Sequence, residues 1–189
     1  MPTATEVVEP LTLMFEDDGS IPNNPRLPLL IYRNAIDVSG TPNRADVIEA
    51  VFAQNGWGEM WRNGIFPYAH YHSATHEVLG VARGRAIVRF GGAKGREIEL
   101  GSGDVAVLPA GTGHQGLWKG PDLMVIGAYP PTGRYDLCRG SKAEHAKAVL
   151  SIPRVPLPAT DPVYGERGPL RRLWGAKAQS PAPSRISRK

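Results

Sequence analysis

The stretch Gly64-Ile-Phe-Pro-Tyr-Ala-His70-Tyr71-His72-Ser-Ala-Thr-His76-Glu77 decides the reading of this 189-residue chain. Three of the five histidines fall within it, inside seven residues. Along a strand, residues two apart share a face. His70 and His72 therefore project together, Tyr68 shares their face, and Tyr71 points the other way. Two imidazoles one side-chain step apart can grip a single metal ion. Strict alternation from His72 would carry His76 inward and Glu77 outward. A turn at Ser73-Ala74-Thr75 would reverse that order. Both residues therefore stand as candidates beside the histidine pair, Glu77 as a carboxylate ligand and His76 as an alternative ligand or neighbouring base.

Moving outward, residues 57–130 alternate short apolar runs with glycine turns. The runs are Glu77–Val81, Ala86–Phe90, Val105–Leu108 and Leu123–Ile126. Gly64, Gly84, Gly91-Gly92, Gly101-Ser102-Gly103, Gly111-Thr112-Gly113 and Gly120-Pro121 punctuate them. Short strands at such spacing predict a β-sandwich or barrel. Upstream, residues 11–16 and 27–33 read as strands, the second of edge type because of Pro28. Ala45, Val47, Ile48, Val51 and Phe52 recur at helical spacing behind a candidate cap, Asn43, and the helix is expected to end near Gly56. Downstream, Ser141 and Glu144 form a capping-box pattern for a helix over 141–150. Five prolines between Pro153 and Pro169 predict an extended arm wrapping the surface, with little order beyond Trp174.

Composition narrows the functional classes. The chain is 41% hydrophobic and 21% charged, which is globular rather than disordered. Its 22 glycines and 18 prolines suit a turn-rich fold. The net charge of +4 resides entirely in the segment Gly175–Lys189, so the body is balanced and offers no footprint for nucleic acid. No apolar run approaches the ~18 residues of a membrane span. Met1–Pro10 lacks the features of a signal peptide, and Cys138 is the single cysteine. A cytoplasmic address is the expectation, with neither membrane nor nucleic acid as partner. Gly91-Gly92-Ala93-Lys94-Gly95 lacks the GK[ST] ending of a phosphate loop. Arg83, Arg85 and Arg89 read as a solvated strand face, His145 as an exposed helix residue, and Cys138 as inert.

The spacing around the histidines resembles the two-block signature of the cupin superfamily. Gly64, His70, His72, Glu77 and Gly84 match the first block, G-x5-H-x-H-x3,4-E-x6-G. Gly103, Pro109, Gly111 and His114 match the second, G-x5-P-x-G-x2-H-x3-N, with Trp118 where that pattern has asparagine. The segments 15–19, 63–66, 109–114, 155–158 and 161–165 further resemble the YjlB-type bacterial single-domain cupins. The resemblance implies an all-β fold, a small antiparallel jelly-roll β-barrel. A short helix precedes the barrel, and a helix plus an extended proline-rich arm follows it.

The expected organisation is 1–56 as strands and helix packing on the barrel, 57–138 as the barrel core, 139–174 as helix and arm, and 175–189 as a basic tail without fixed structure. The ligands implied by the resemblance are His70, His72, Glu77 and His114. This set suits one divalent transition metal, whether Fe, Mn, Ni, Co or Zn, with coordination positions left open. Tyr68 and Trp118 are expected to line a substrate pocket, with Glu77 or His76 as the groups able to exchange protons.

The leading expectation is a metal-dependent enzyme on a small organic molecule, by Fe(II)-type dioxygenase chemistry. A redox-neutral metal-dependent isomerase or lyase is the second reading. A non-catalytic small-molecule binding or sensor protein is the third. The arm and the edge-like early strands lead us to expect a homodimer.

Overall fold

The computed structural model describes residues 6–178. Nine strands form two antiparallel sheets. In chain order they are β1 (Leu11–Leu13), β2 (Leu29–Tyr32), β3 (Gly58–Asn63), β4 (Glu77–Arg83), β5 (Arg85–Phe90), β6 (Arg96–Gly101), β7 (Val105–Leu108), β8 (His114–Lys119) and β9 (Met124–Tyr129). Six make one sheet in the order β1-β2-β7-β4-β9-β3, and three make the other in the order β6-β5-β8. The helices are α1 (Arg44–Gln54), α2 (Lys142–Ser151) and α3 (Pro169–Ala178).

Burial explains why the two sheets read so differently as sequence. In the small sheet β5 alternates strictly, with Ala86, Val88 and Phe90 buried and Arg85, Ile87 and Arg89 less so. That is the mark of a sheet with one wet face. In the large sheet β2 and β7 are buried at every position, because both faces are covered. On its inner face Leu29, Ile31, Leu79, Val81, Ala106 and Val125 meet Val88, Phe90, Ile98 and Leu100 of the small sheet. This is the barrel interior. On its outer face Leu30, Tyr32, Val78, Val107 and Ile126 pack with Ile48 and Phe52 of α1 and with Leu170 and Trp174 of α3.

The seat of α1 depends on a missing side chain. A Cβ at Gly80 would lie 2.8 Å from Ile48 Cγ2 and 3.0 Å from Phe52 Cζ. Glycine on β4 thus lets the helix approach the sheet. Asn43 occupies the cap position of α1 but its side chain makes no cap bond. The capping box of α2 is complete: the Glu144 N–H donates to Ser141 Oγ, and the Ser141 N–H donates to Glu144 Oε2.

The C-terminal region departs from the expected extended arm. A 3-10 turn at Ile152–Arg154 follows α2, and the chain then folds around Asp161 before entering α3. The buried Asp161 carboxylate accepts from the Tyr32 hydroxyl and from the N–H groups of Val163, Tyr164 and Leu170. Pro169 opens α3, where proline is tolerated because its N–H would be unpaired anyway. Leu170 and Trp174 are fully buried, so the arm ends as a core element. The expectation for 175–189 lies, from residue 179 onward, outside the described residues. No helix among those described is long and apolar enough to cross a membrane.

Candidate metal centre

The histidine segment is held between two others. His70 exchanges both backbone hydrogen bonds with His114, at 3.1 and 2.9 Å. Tyr71 exchanges both with Cys138, at 3.0 and 2.9 Å, and the His72 carbonyl accepts from the Gly111 N–H. The alternation expected of a strand survives, although the pairing is only a bridge at each residue. His70 and His72 turn into the barrel mouth, while Tyr71 packs with Ile21, Cys138 and Ile152.

A turn then resets the parity. The Asp136 carboxylate holds Ser73-Ala74 by accepting from the Ser73 N–H, the Ala74 N–H and the Ser73 hydroxyl. β4 therefore begins with Glu77 on the same face as Leu79 and Val81, toward the interior. His76 falls on the opposite side, its ring 4.9 Å from that of Trp174.

Ligand-capable atoms of His70, His72 and His114 lie within 4.8 Å of one another, and all three residues are buried. Each Nδ1 meets a backbone carbonyl: that of Tyr68 for His70, Asp136 for His72 and Thr112 for His114. A carbonyl only accepts, so each Nδ1 carries a proton, and Nε2 is the atom each ring offers as a lone pair in its neutral form. Bonds of this kind orient metal-binding imidazoles. Glu77 Oε2 lies 3.3 Å from both His72 Nε2 and His114 Nε2, yet is buried with no hydrogen-bond partner. Its other oxygen, Oε1, accepts from the Tyr129 hydroxyl at 2.9 Å, and Tyr129 in turn accepts from Trp61 Nε1 at 3.0 Å. A buried carboxylate oxygen without a hydrogen-bond partner, beside the Nε2 atoms of two members of a three-histidine cluster, is what a divalent cation would satisfy. The donor set fits such an ion.

Electrostatics favour a neutral His70 and an ionised Glu77. Burial, then the neighbouring His114 ring, pushes the His70 imidazolium down to about 3, so His70 is neutral and able to ligate at neutral pH. Burial alone would raise the Glu77 carboxyl, but the imidazoles of His72 and His114 outweigh it and hold it well below the usual carboxylate range. Burial disfavours a charged His72, yet the Glu77 carboxylate beside it prevails and the balance is upward.

His76 is built the other way round. Its Nδ1 accepts from the Ala110 N–H at 3.0 Å, so its Nε2 carries the proton and donates to the Pro156 carbonyl at 3.1 Å. Both nitrogens are engaged, the residue is fully buried, and burial pushes its pKa down to about 4. No lone pair is left for a metal or substrate, which removes His76 as ligand or base. Trp118 is 54% exposed and does not line the cavity, because β8 runs from buried His114 at the cavity out to an exposed end that carries Trp118. Tyr68 also stands outside the lining; its ring stacks on Phe66 and lies under the Arg139 guanidinium.

The cavity above the histidines holds about 330 Å³. Its walls are Trp61, Ile65, Phe66, Leu79, Tyr129 and Tyr135, with Asn63 and Gly64 at the β3 end. Sequence reasoning missed Trp61, Tyr129, Tyr135 and Asp136. Trp61 and Tyr129 stand across a long-range strand pair, and Tyr135 and Asp136 lie on a loop without periodicity. The other residues singled out have plain roles. Arg89 pairs with Glu97 at 2.6 Å, and Arg85 reaches Glu99 at 3.5 Å. His145 is not free on its helix but pairs with Asp17 at 2.8 Å. Burial and the nearby Asp136 carboxylate push the Cys138 thiol up to about 11, which suppresses the thiolate.

The double-sheet barrel and the inward histidines at its mouth define a single-domain cupin. A scan against protein-family models finds no match. A protein of Bacillus subtilis (strain 168), described as uncharacterized protein YjlB, is 45% identical over 166 residues, spanning 88% of this chain and 97% of the relative. The chain belongs to the YjlB family.

Among solved structures, an acireductone dioxygenase from Bacillus anthracis with cadmium in its active centre is similar at 18% identity. The likeness covers 56% of this chain and 80% of that one, with a TM-score of 0.41. A Klebsiella pneumoniae protein with a double-stranded β-helix domain is similar at 13% identity, covering 75% of this chain and 85% of that one, with a TM-score of 0.35. An oxalate decarboxylase from Bacillus subtilis is similar at 16% identity, covering 62% of this chain and 29% of that one, with a TM-score of 0.34.

Proposed function

We propose that the protein is a metal-dependent enzyme that oxidises a small organic molecule with dioxygen at a single Fe(II)-type centre. One observation carries the reading. Three imidazoles locked in the ligating tautomer and one orphaned carboxylate oxygen converge at the base of an apolar cavity. His70, His72 and His114 would hold the metal through Nε2, and Glu77 through Oε2. The bound ion would supply Lewis acidity and one-electron chemistry, bringing substrate and dioxygen together.

The chain's own residues do the rest. Tyr129 donates to Glu77 Oε1 and so keeps Oε2 toward the histidines. Burial, and then the Glu77 charge, raise the pKa of the Tyr129 hydroxyl, so it stays protonated as a donor. Trp61, Phe66 and Leu79 give the space above the site apolar walls. Glu77 is the acid–base group within reach of a bound molecule. Redox-neutral isomerase or lyase chemistry needs a base beside the metal, and with His76 facing the outer core it would have to rely on Glu77, which the metal itself engages. That arrangement favours the dioxygen reading.

The test is oxygen uptake by the iron-loaded protein with phenolic, thiol and keto-acid substrates. Substrate-dependent uptake that vanishes in Glu77→Ala is expected. Turnover under nitrogen with manganese or zinc would establish the isomerase or lyase reading instead. Tight ligand binding without turnover would establish a sensor.

A further inference from the structure

Trp61 is placed by three separate devices. β3 carries a register shift between Gly58 and Trp61, and within it Glu59 adopts φ +50°, uncommon for a residue with a side chain. Across the pair, Gly127 of β9 has no Cβ, and a Cβ there would fall inside the Trp61 indole. The indole Nε1–H is tied to the Tyr129 hydroxyl at 3.0 Å. Bulge, glycine and hydrogen bond together hold a large flat ring against the cavity, half-buried rather than sunk in the core. Two more aromatic rings border the same space. Phe66 sits edge-on to His70 at 5.2 Å and is 42% exposed, and Tyr135 leans on His72 at 5.0 Å.

The charge of the cavity is equally specific. Among the described residues that line it there is no lysine and no arginine. Three neutral imidazoles and one carboxylate around a divalent ion leave a single positive charge. One negative charge on a ligand would neutralise it, and a second would be buried without a partner. Flat aromatic faces reward a planar molecule, and the apolar walls penalise a densely charged one.

We propose that the cavity selects a planar aromatic or enolic substrate that carries no more than one negative charge, with Trp61 as the stacking surface that decides specificity. The proposal rests on the metal-centre reading above for where the substrate's oxygen sits. It excludes dicarboxylates and phosphorylated sugars as substrates. Trp61 is a specificity residue rather than a catalytic one, because its indole acts through contact area.

The experiment is calorimetric titration of the full zinc-loaded chain, in which no redox turnover can occur, with 4-nitrocatechol and separately with oxalate. The catechol is expected to bind at least tenfold more tightly than oxalate. Trp61→Ala is expected to weaken the catechol about tenfold and leave oxalate within twofold. Phe66→Ala, at an exposed position that tolerates truncation, is expected to weaken the catechol about threefold. Oxalate binding as tightly as the catechol, or catechol affinity unchanged in both variants, would overturn the proposal. Zinc content measured on the same samples separates the two claims. A chain that takes up no zinc loses the metal centre. The same titration on that metal-free chain still tests the pocket: catechol binding lost in Trp61→Ala supports it, and no binding overturns it.

Discussion

At the scale of single residues, tautomers set the proposed ligands apart from His76. His70, His72 and His114 each spend Nδ1 on a carbonyl and bring a ligand atom within 4.8 Å of the others, whereas His76 spends both nitrogens on backbone groups. His76→Ala should therefore leave metal content unchanged and lower stability by about 3 kcal/mol, because it strands the buried Ala110 N–H and leaves a cavity beside Trp174. His72→Ala should abolish metal binding. Elemental analysis beside thermal denaturation of the two variants checks both outcomes, and metal lost from His76→Ala would reverse the assignment. The histidine pair was legible in the sequence, because a two-residue alternation is local. The choice between His76 and Glu77 was not legible from alternation. It depends on a reversal at Ser73-Ala74 whose anchor, Asp136, lies more than sixty residues away.

At the scale of elements, close approach and local charge decide how pieces seat. Gly80→Val would drive new methyl groups into Ile48 and Phe52 and lift α1 from β4. Overpacking of this kind costs about 1–3 kcal/mol, read as a lower denaturation midpoint with an unchanged slope. Asp18 ties the loop after β1 to the β5–β6 turn. Its carboxylate accepts from the N–H groups of Ser20, Ile21 and Ala93 at 2.7–2.9 Å. Burial opposes its charge, but those N–H groups, that of Ile21 foremost, outweigh it and hold the carboxyl below its ordinary value of 3.8. A depressed folded-state pKa stabilises above the unfolded value and is lost as pH falls through the folded one. Asp18→Asn should accordingly lower stability at pH 7, and its deficit relative to wild type should shrink as pH falls below about 4, measured by urea unfolding across that range. The helix α1 and the α2 capping box were legible from spacing and cap residues. The helix α3 was missed because the prolines before it dominated the reading. Pro169 at a helix start, followed by Leu170, Leu173 and Trp174 at helical spacing, was the available signal.

At the scale of the whole molecule, the large sheet is the partition on which both halves of the account rest. Its outer face binds α1 and α3, and its inner face closes the barrel around the site. Trp174 is fully buried on the outer side and donates to the Pro28 carbonyl at 3.0 Å. Trp174→Ala should cost about 3–5 kcal/mol and lower the thermal midpoint, with metal bound as before in whatever fraction remains folded. The barrel was readable from glycine punctuation and strand-length runs. The cavity walls were not, because Trp61, Tyr129 and Tyr135 come together only through pairing of distant strands and a loop. The account stands or falls on the centre those elements surround. The measurement is elemental analysis of untagged protein purified without chelator and then reconstituted with divalent iron. The account predicts one equivalent of metal per chain, absent from His72→Ala; a reconstituted wild-type protein that holds none would contradict it.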